Sequence, residues 1–148
     1  MTRAIYLAGP SGFTEPGRHY HHAHVIPAVR AAGFDCLDPW AGAAPRTRAE
    51  NRRAGRANQA MIDACAAVLA ILDGPDVDSG TAAEIGYAAA IGRPVVGLRT
   101  DIRMSGENRA APVNLQVVWF VEHSGGTIVT TLPAAVAELD ARAVGRDA

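Results

Sequence analysis

An uninterrupted apolar run at residues 66–72 constrains the fold of this chain more than any other sequence feature. A run of this length and composition is typical of a parallel strand that helices cover on both faces. Asp73, Asp76 and Asp78 follow it in a loop, and an alanine-rich helical pattern then begins at Thr81. Open α/β sheets bind ligands beyond the carboxyl ends of their strands. We therefore expect the aspartate loop to form part of a binding site.

The rest of the chain alternates in the same way between strand and helix patterns. Strands are predicted at residues 3–8, 34–37, 66–72, 95–98 and 116–121, and helices at 18–32, 47–64, 81–91 and 132–144. Pro27 predicts a kink or a late start in the first helix, and Gly33 is expected to end it. The alternation predicts an α/β fold, a flavodoxin-like three-layer sandwich with a five-stranded parallel sheet. We expect residues 1–148 to form a single domain.

Composition narrows the class of protein. Hydrophobic residues make up 49% of the chain and charged residues 20%, which is typical of a folded globular protein. No apolar run is long enough to span a bilayer, and the first strand lacks the pattern of a signal peptide, so we expect a cytoplasmic protein without membrane contact. The net charge of -1 argues against a dedicated nucleic-acid binder.

The ionisable side chains exclude several kinds of chemistry. All 14 basic residues are arginine, which excludes lysine-based Schiff bases and a Walker-type phosphate lysine. We expect Cys36 and Cys65 to be buried thiols outside any disulfide or metal site. Four histidines in the first helix are expected to form a solvated face, because no carboxylate or thiol partner is evident near them. They are His19, His21, His22 and His24. We therefore predict neither a metal nor a cofactor.

Two interpretations of Glu84 follow from its position at the start of a helical pattern. Residues 81–84 have the spacing of a capping box, in which Glu84 would reach back to the backbone amide of Thr81. Alternatively, Glu84 is a nucleophile for a glycosidic bond, a reaction that carboxylates perform in retaining glycosidases. The positive end of the helix dipole would favour the ionised form that such a nucleophile needs.

Several segments, in order over nearly the whole chain, resemble the nucleoside 2-deoxyribosyltransferase family. They are IYLAGP at 5–10, NQAMID at 58–63, LDGPDVDSGTAAEIGYA at 72–88, GRPV at 92–95, RTD at 99–101 and PVNL at 112–115. Residues 78–88 form the most specific segment. The resemblance implies transfer of 2-deoxyribose between nucleobases through a covalent deoxyribosyl-glutamate intermediate. It implies small deoxynucleosides and free bases as partners, and no cofactor.

The resemblance also assigns roles to individual residues. It makes Glu84 the nucleophile, Asp78 the residue that contacts the base and passes it a proton, and Tyr6 the residue that holds the nucleophile. It assigns to Asn114 a contact with the 5′-hydroxyl of a sugar that is bound in the active site of a neighbouring subunit. This implies a homo-oligomer with shared active sites. The expected substrate-binding residues are Gly9, Asn58, Asp76, Ser79, Gly80 and Asn114.

Asn58 departs from the family pattern, where we expect an aspartate at its position. An asparagine cannot deliver a proton, but it can donate and accept hydrogen bonds. Asp73 and Asp76 have the alternative role of turn residues, and Asp78 has the alternative role of a helix cap. These alternatives leave the details of base recognition open.

Two other functions remain compatible with the sequence. A hydrolase of 2′-deoxynucleoside 5′-monophosphates would use Arg18, Ser11 and Ser79 to hold the phosphate. A non-catalytic nucleotide-sensing module would need only the fold. We favour the transferase, because Asp78 would repel a phosphate dianion and Asn114 suits a hydroxyl.

Overall fold

The structure is a computed structural model that describes residues 3–144. Its sheet contains β1 (Ala4–Ala8), β2 (Asp35–Leu37), β3 (Ala67–Ile71), β4 (Val95–Leu98) and β5 (Thr127–Val129). The helices are α1 (Glu15–Tyr20), α2 (Ile26–Ala31), α3 (Arg48–Ala64), α4 (Ser79–Ala90), α5 (Leu115–His123) and α6 (Leu132–Val144). All strands are parallel, in the order β2-β1-β3-β4-β5. This order confirms the flavodoxin-like α/β prediction.

The three central strands are apolar because helices cover both of their faces. Every residue of β1, β3 and β4 is buried. Side chains alternate between faces along a strand, so Ile5 and Leu7 of β1 join one core with residues of α2 and α6. Tyr6 and Ala8 point the other way, into a core that includes residues of α3, α4 and α5. This alternation places Tyr6 on the same face of the sheet as α4.

The strand predicted at residues 116–121 is wrong, because this segment lies within α5. Valine, tryptophan and phenylalanine favour strands in isolation, but Val117 and Val121 are buried four residues apart, as on one face of a helix. Asn114 caps the helix by accepting a hydrogen bond from the Gln116 amide at 3.0 Å. The fifth strand is Thr127–Val129 instead.

Pro27 neither begins nor breaks the first helical segment. α1 begins at Glu15, where the Thr14 side chain caps it, and a π-helical turn at His21–Val25 joins it to α2. The Ile26 amide donates to the carbonyl of His21, five residues earlier. Pro27 has no amide hydrogen to donate, and a wider turn before it accommodates this loss. The segment therefore begins before its predicted start at residue 18 and continues through the proline.

The end of this segment and the cysteines agree largely with expectation. Gly33 has a φ of +83°, the left-handed conformation that a glycine after a helix supplies. Cys65 is buried, and its thiol donates to the carbonyl of Ile62 at 3.1 Å, whereas Cys36 is half-buried. Between residues 3 and 144, no helix combines the length and apolar character needed to cross a bilayer.

Candidate active site

Tyr6 and Glu84 meet across the interface between the sheet and α4. The Tyr6 hydroxyl donates a hydrogen bond to Oε1 of Glu84 at 2.7 Å. Tyr6 is fully buried in the core, whereas Glu84 is half-buried in the second turn of α4. The alternation of side chains along β1 and the start of α4 at Ser79 bring the two groups together. A rigid strand thus holds one oxygen of the Glu84 carboxylate.

The capping-box interpretation of Glu84 is wrong, because Asp78 caps α4. Its Oδ2 accepts hydrogen bonds from the Thr81 amide at 3.0 Å and the Thr81 hydroxyl at 3.2 Å. The helix therefore begins two residues before the predicted start at Thr81, and its first turn contains no acidic residue. Glu84 is consequently not required to satisfy the helix end.

Burial and neighbouring charge shift the ionisation of this pair. Burial raises the pKa of Glu84, and the charge of Asp78 adds to the increase, while hydrogen bonds from Tyr6 and Asn58 oppose it. Burial also raises the pKa of Tyr6, and the negative charge of Glu84 raises it further. The Tyr6 hydroxyl therefore keeps its proton at neutral pH and remains a hydrogen-bond donor. A desolvated carboxylate with fixed donors and a shifted pKa is typical of a functional site.

Asn58 of α3 lines both the Glu84 cavity and two cavities beside the loop that follows β2. With Glu84, Ala83 and Tyr87, it lines a cavity of about 260 Å³ between α3 and α4. It also lines two larger cavities, of about 420 Å³ and 680 Å³, next to the loop that follows β2. The Asn58 side chain acts to lower the pKa of Glu84. The structure thus places Asn58 at the boundary between the Glu84 carboxylate and the larger cavities.

Gly9 allows the carboxyl ends of β1 and β3 to approach closely. It has a φ of +151°, and a Cβ on it would lie 2.8 Å from the Cβ of Ile71. Its carbonyl accepts a hydrogen bond from Nε1 of Trp40 at 3.0 Å. This expected substrate-binding residue therefore shapes the edge of the sheet, with its carbonyl already bonded to the protein.

The expected residues of the aspartate loop and the start of α4 take different positions. Asp76 accepts a hydrogen bond from the Val77 amide at 2.8 Å, in a local turn, and lines a cavity of about 640 Å³ together with Asp78. Ser79 and Gly80 are the exposed first residues of α4 and do not line the Glu84 cavity. Asp78 caps α4 and lies within electrostatic reach of Glu84, but it does not line the Glu84 cavity.

Asn114 does not line the Glu84 cavity of its own chain. Its Oδ1 caps α5, and its Nδ2 donates to Oε1 of Glu107 at 2.7 Å. The other oxygen of Glu107 accepts from the Leu115 amide at 2.7 Å. These bonds hold Asn114 in a defined orientation at the start of α5, on an exposed part of the surface.

His21 and Asp38 form a contact that the sequence analysis missed. The expectation of a solvated histidine face is wrong for His21, which is 2% exposed, while His19, His22 and His24 are exposed as expected. The π-helical turn contains His21, and its Nε2 lies 3.1 Å from Oδ1 of Asp38. Asp38 comes directly after a predicted strand, and that position could have identified it as a candidate at the ligand-binding edge.

Arg99 and Asp73 connect the aspartate loop to the loop after β4. Arg99 is 3% exposed, and its guanidinium donates to the carbonyls of Leu72, Gly74 and Arg103. Asp73 accepts from the Thr100 amide and hydroxyl, both at 2.6 Å. In the loop after β4, Asp101 forms an ion pair with Arg103. Arg99 instead fixes backbone carbonyls on both loops.

The described part of the chain contains no group of three or more histidine, cysteine, aspartate or glutamate side chains that could hold a metal ion. The groups that the described residues bring to the site are the partly desolvated Glu84 carboxylate, the Asp78 carboxylate within electrostatic reach of it, the buried Tyr6 phenol and the Asn58 amide. They can attack, hold and protonate a small substrate.

Comparison with known proteins identifies relatives along most of the chain. The family model for nucleoside 2-deoxyribosyltransferases matches residues 5–116. A conserved protein from Enterococcus faecalis V583 has a similar structure, with a TM-score of 0.79 and 28% identity over 96% of this chain and 99% of that one. A 2-deoxyribosyltransferase from Leishmania mexicana gives a TM-score of 0.70 and 29% identity over 91% of this chain and 95% of that one.

A shorter match is found to an uncharacterized protein of Schizosaccharomyces pombe. It is 46% identical over 48 residues, which are 30% of this chain and 23% of that protein. The match thus spans less than a quarter of the yeast protein.

Proposed function

The chain belongs to the nucleoside 2-deoxyribosyltransferase family, and on this premise we propose that it transfers 2-deoxyribose between nucleobases through a covalent bond to Glu84. The observation that carries the proposal is the 2.7 Å hydrogen bond from the buried Tyr6 hydroxyl to Oε1 of Glu84. It fixes one carboxylate oxygen and leaves Oε2 to attack. The Glu84 cavity between α3 and α4 gives the carboxylate a place to meet a sugar.

In the proposed first step, Oε2 of ionised Glu84 forms a bond to the anomeric carbon as the bond from that carbon to the base breaks. Asp78 relays a proton from water to the ring nitrogen that leaves, because an anionic base is a poor leaving group. A 2-deoxyribosyl centre lacks the electron-withdrawing 2′-hydroxyl, so its oxocarbenium-like transition state forms more readily. The product is a deoxyribosyl ester of Glu84, as in retaining glycosidases.

In the proposed second step, a ring nitrogen of another base attacks the same carbon and displaces Glu84. The incoming nitrogen loses its proton to water through the Asp78 carboxylate, so both side chains end the cycle as they began it. Asn58 takes part by hydrogen bonding alone, since an amide has no acidic proton to transfer. Its contact with Glu84 supports the ionised form that both steps require.

The proposal includes an assembly in which Asn114 of a neighbouring subunit binds the sugar 5′-hydroxyl. Asn114 lies outside the Glu84 cavity of its own chain, which supports a role in another chain. Next to it, Leu115 and Trp119 are more than half exposed on α5. They are four residues apart and therefore share one face of the helix. An apolar helix face beside Asn114 is a suitable contact for a second copy of the chain.

A hydrolase acting on deoxynucleoside 5′-monophosphates is the alternative. Arg18, Ser11 and His22 line the 680 Å³ cavity that also includes Asn58. A guanidinium there could receive a phosphate, although its Nη1 already donates to the Gly12 carbonyl at 3.0 Å.

Product analysis after incubation with thymidine and adenine tests the proposal. We expect deoxyadenosine and thymine in equal amounts, and no product with Glu84→Ala. Cleavage restricted to deoxynucleoside 5′-monophosphates would support the hydrolase instead. Nucleoside binding without either reaction would support a sensing module and contradict the transferase.

A further inference from the structure

Two neighbours hold one carboxylate oxygen of Asp38, the first residue after β2. The Trp40 amide donates to Oδ1 at 3.0 Å, and Nε2 of His21 lies 3.1 Å from the same oxygen. Over residues 3–144, no hydrogen bond from the protein reaches the other oxygen, Oδ2. The protein therefore fixes the orientation of the carboxylate through one oxygen and leaves the second oxygen available.

The Asp38 carboxylate borders a cavity next to the Tyr6–Glu84 pair. It lines the 420 Å³ cavity together with Asn58, which also lines the Glu84 cavity. Burial is the main reason for the raised pKa of Tyr6, and the charges of Glu84 and Asp38 add to it. Asp38 thus lies within electrostatic reach of the proposed nucleophile and its tyrosine.

The contact with His21 keeps this carboxylate charged in a poorly solvated place. Burial acts to raise the pKa of Asp38, but the contacts with His21 and the Trp40 amide outweigh burial, and the pKa is lowered. Holding a carboxylate away from water is costly, so its presence here is weak grounds for a purely stabilising role. An ionised carboxylate has acceptor oxygens only. The ligand group that suits Oδ2 is therefore a hydrogen-bond donor.

The Trp40 side chain lines the 680 Å³ cavity, which shares Pro39 and Asn58 with the 420 Å³ cavity of Asp38. The Trp40 ring packs directly on the backbone of Gly12, where a Cβ would lie 1.9 Å from Cε3 of the ring. Its Nε1 donates to the Gly9 carbonyl at 3.0 Å, and Phe13 packs edge-on at 4.8 Å between ring centroids. Proteins commonly hold a nucleobase by stacking it on apolar or aromatic side chains and hydrogen-bonding its edge.

We propose that Asp38 recognises the nucleobase by accepting a hydrogen bond from its exocyclic amino group, and that His21 positions Asp38 for this contact. The inference rests on the proposed function and names a preference among its substrates: nucleosides of amino-bearing bases are bound more tightly than those of oxo bases. The carbonyl of an oxo base placed at Oδ2 would set one acceptor against another. Asn58 is the neighbouring amide, and it can donate to an adjacent ring nitrogen. Neither Asp38 nor His21 has to transfer a proton.

Binding of free bases tests this inference without any turnover. Dissociation constants are measured by calorimetry at neutral pH for adenine against purine and for cytosine against 2-pyrimidinone, pairs that differ only by the amino group. For at least one pair, we expect the wild-type protein to bind the amino-bearing base roughly 10- to 100-fold more tightly, as for a hydrogen bond to a charged group. Equal affinities within both pairs would overturn the inference.

Asp38→Asn is the decisive variant. The new Oδ1 can still accept from the Trp40 amide, and the NH₂ group then replaces Oδ2 and presents a donor to the base. We expect the preference for the amino-bearing base to disappear or to reverse. Asp35→Asn, in the preceding strand β2, removes the same charge at an exposed position and should leave the preference unchanged. A substitution that only loosens the site would weaken the binding of both bases alike. The ratio of their dissociation constants therefore separates a loss of recognition from a loss of stability.

His21 is tested in the same assay. We expect His21→Leu to reduce the preference and His21→Gln, which keeps a donor, to restore it in part. An unchanged ratio in Asp38→Asn, with bases still bound and exchanged, would overturn the inference and leave the proposed function standing. Failure of the wild-type protein to bind any base would overturn both.

Discussion

The hydroxyl of Tyr6 donates a 2.7 Å hydrogen bond to Oε1 of Glu84, and both groups are removed from bulk water. A buried strand residue thereby fixes a carboxylate on a helix from a neighbouring layer. Burial raises the pKa of Glu84, whereas the bond from Tyr6 lowers it. The balance between these effects determines the pH at which the proposed nucleophile becomes ionised, and several predictions depend on it.

Tyr6→Phe removes a donor that favours ionised Glu84. We expect the acidic limb of the kcat/KM profile to move to higher pH, because the pKa of Glu84 rises when the bond is lost. The value of kcat/KM should fall roughly 10- to 100-fold, as for loss of a hydrogen bond to a charged group. Tyr87→Phe is the matched control, because Tyr87 lines the Glu84 cavity but bonds Asp63 and Gln59. A profile that stays in place in Tyr6→Phe would contradict the assignment.

Asp78→Asn should move the acidic limb in the opposite direction. The charge of Asp78 raises the pKa of Glu84, so its removal lets Glu84 ionise at lower pH. Turnover should nevertheless fall by two orders of magnitude or more, a typical contribution of a general acid. Asparagine is as good a helix cap as aspartate, so thermal stability should change little. Asp76→Asn is the control. Turnover of Asp78→Asn at the wild-type rate would remove Asp78 from the mechanism.

Glu84→Gln should preserve or increase stability at neutral pH. The folded-state pKa of Glu84 is raised, so its effect on stability is most favourable below the unfolded-state pKa and is lost as pH rises through the folded value. Replacing the carboxylate removes this unfavourable burial of charge. Thermal unfolding at pH 7 and below pH 4 checks the prediction: the variant should gain at the higher pH only. A large loss of stability at pH 7 would show that Glu84 is structural.

Arg99→Met should weaken the connection between the aspartate loop and the loop after β4. Several carbonyls, including those of Leu72 and Arg103, would lose their donor in a buried place, at a cost of about 1–3 kcal/mol each. Denaturant unfolding should show the loss, and kcat should fall because Asp78 lies on the loosened loop. Arg103→Met removes an exposed ion pair with Asp101, and we expect it to change stability by less than about 1 kcal/mol. Equal effects of the two substitutions would contradict this account.

Complementation tests whether Asn114 acts in a neighbouring subunit. Glu84→Ala and Asn114→Ala should each be inactive alone, and co-expression should restore part of the activity in mixed assemblies. Co-expressed Glu84→Ala and Tyr6→Phe should show no such recovery, because both residues belong to the same half of the site. Absence of recovery in the first pair, or full activity of a monomer in sedimentation, would contradict shared sites.

The central strands could be predicted because burial on both faces requires continuous apolar runs, and β1, β3 and β4 have them. The segment around Trp119 could not, because its strand-forming residues conflict with a helical spacing that only tertiary packing resolves. The resemblance to the family pointed to Tyr6 and Glu84, and the structure places them in contact.

The contact between His21 and Asp38 was beyond prediction, since it depends on a π-helical turn. The wider turn before Pro27 contains His21, and a regular helix would have placed the four histidines differently. The helix cap at Asp78 was among the alternatives that the sequence offered, and the structure confirms it; this cap shifts the start of α4 and moves Glu84 out of the first turn.

Trapping the sugar on the protein tests the covalent role of Glu84 most directly. A nucleoside of 2-fluorinated arabinose carries an electron-withdrawing fluorine that destabilises the oxocarbenium-like transition state and slows release of the ester. After incubation, peptide mass spectrometry should find one fluorinated sugar on Glu84, and none on the Glu84→Gln protein. A label on another residue, or ordinary turnover by Glu84→Gln, would contradict the account.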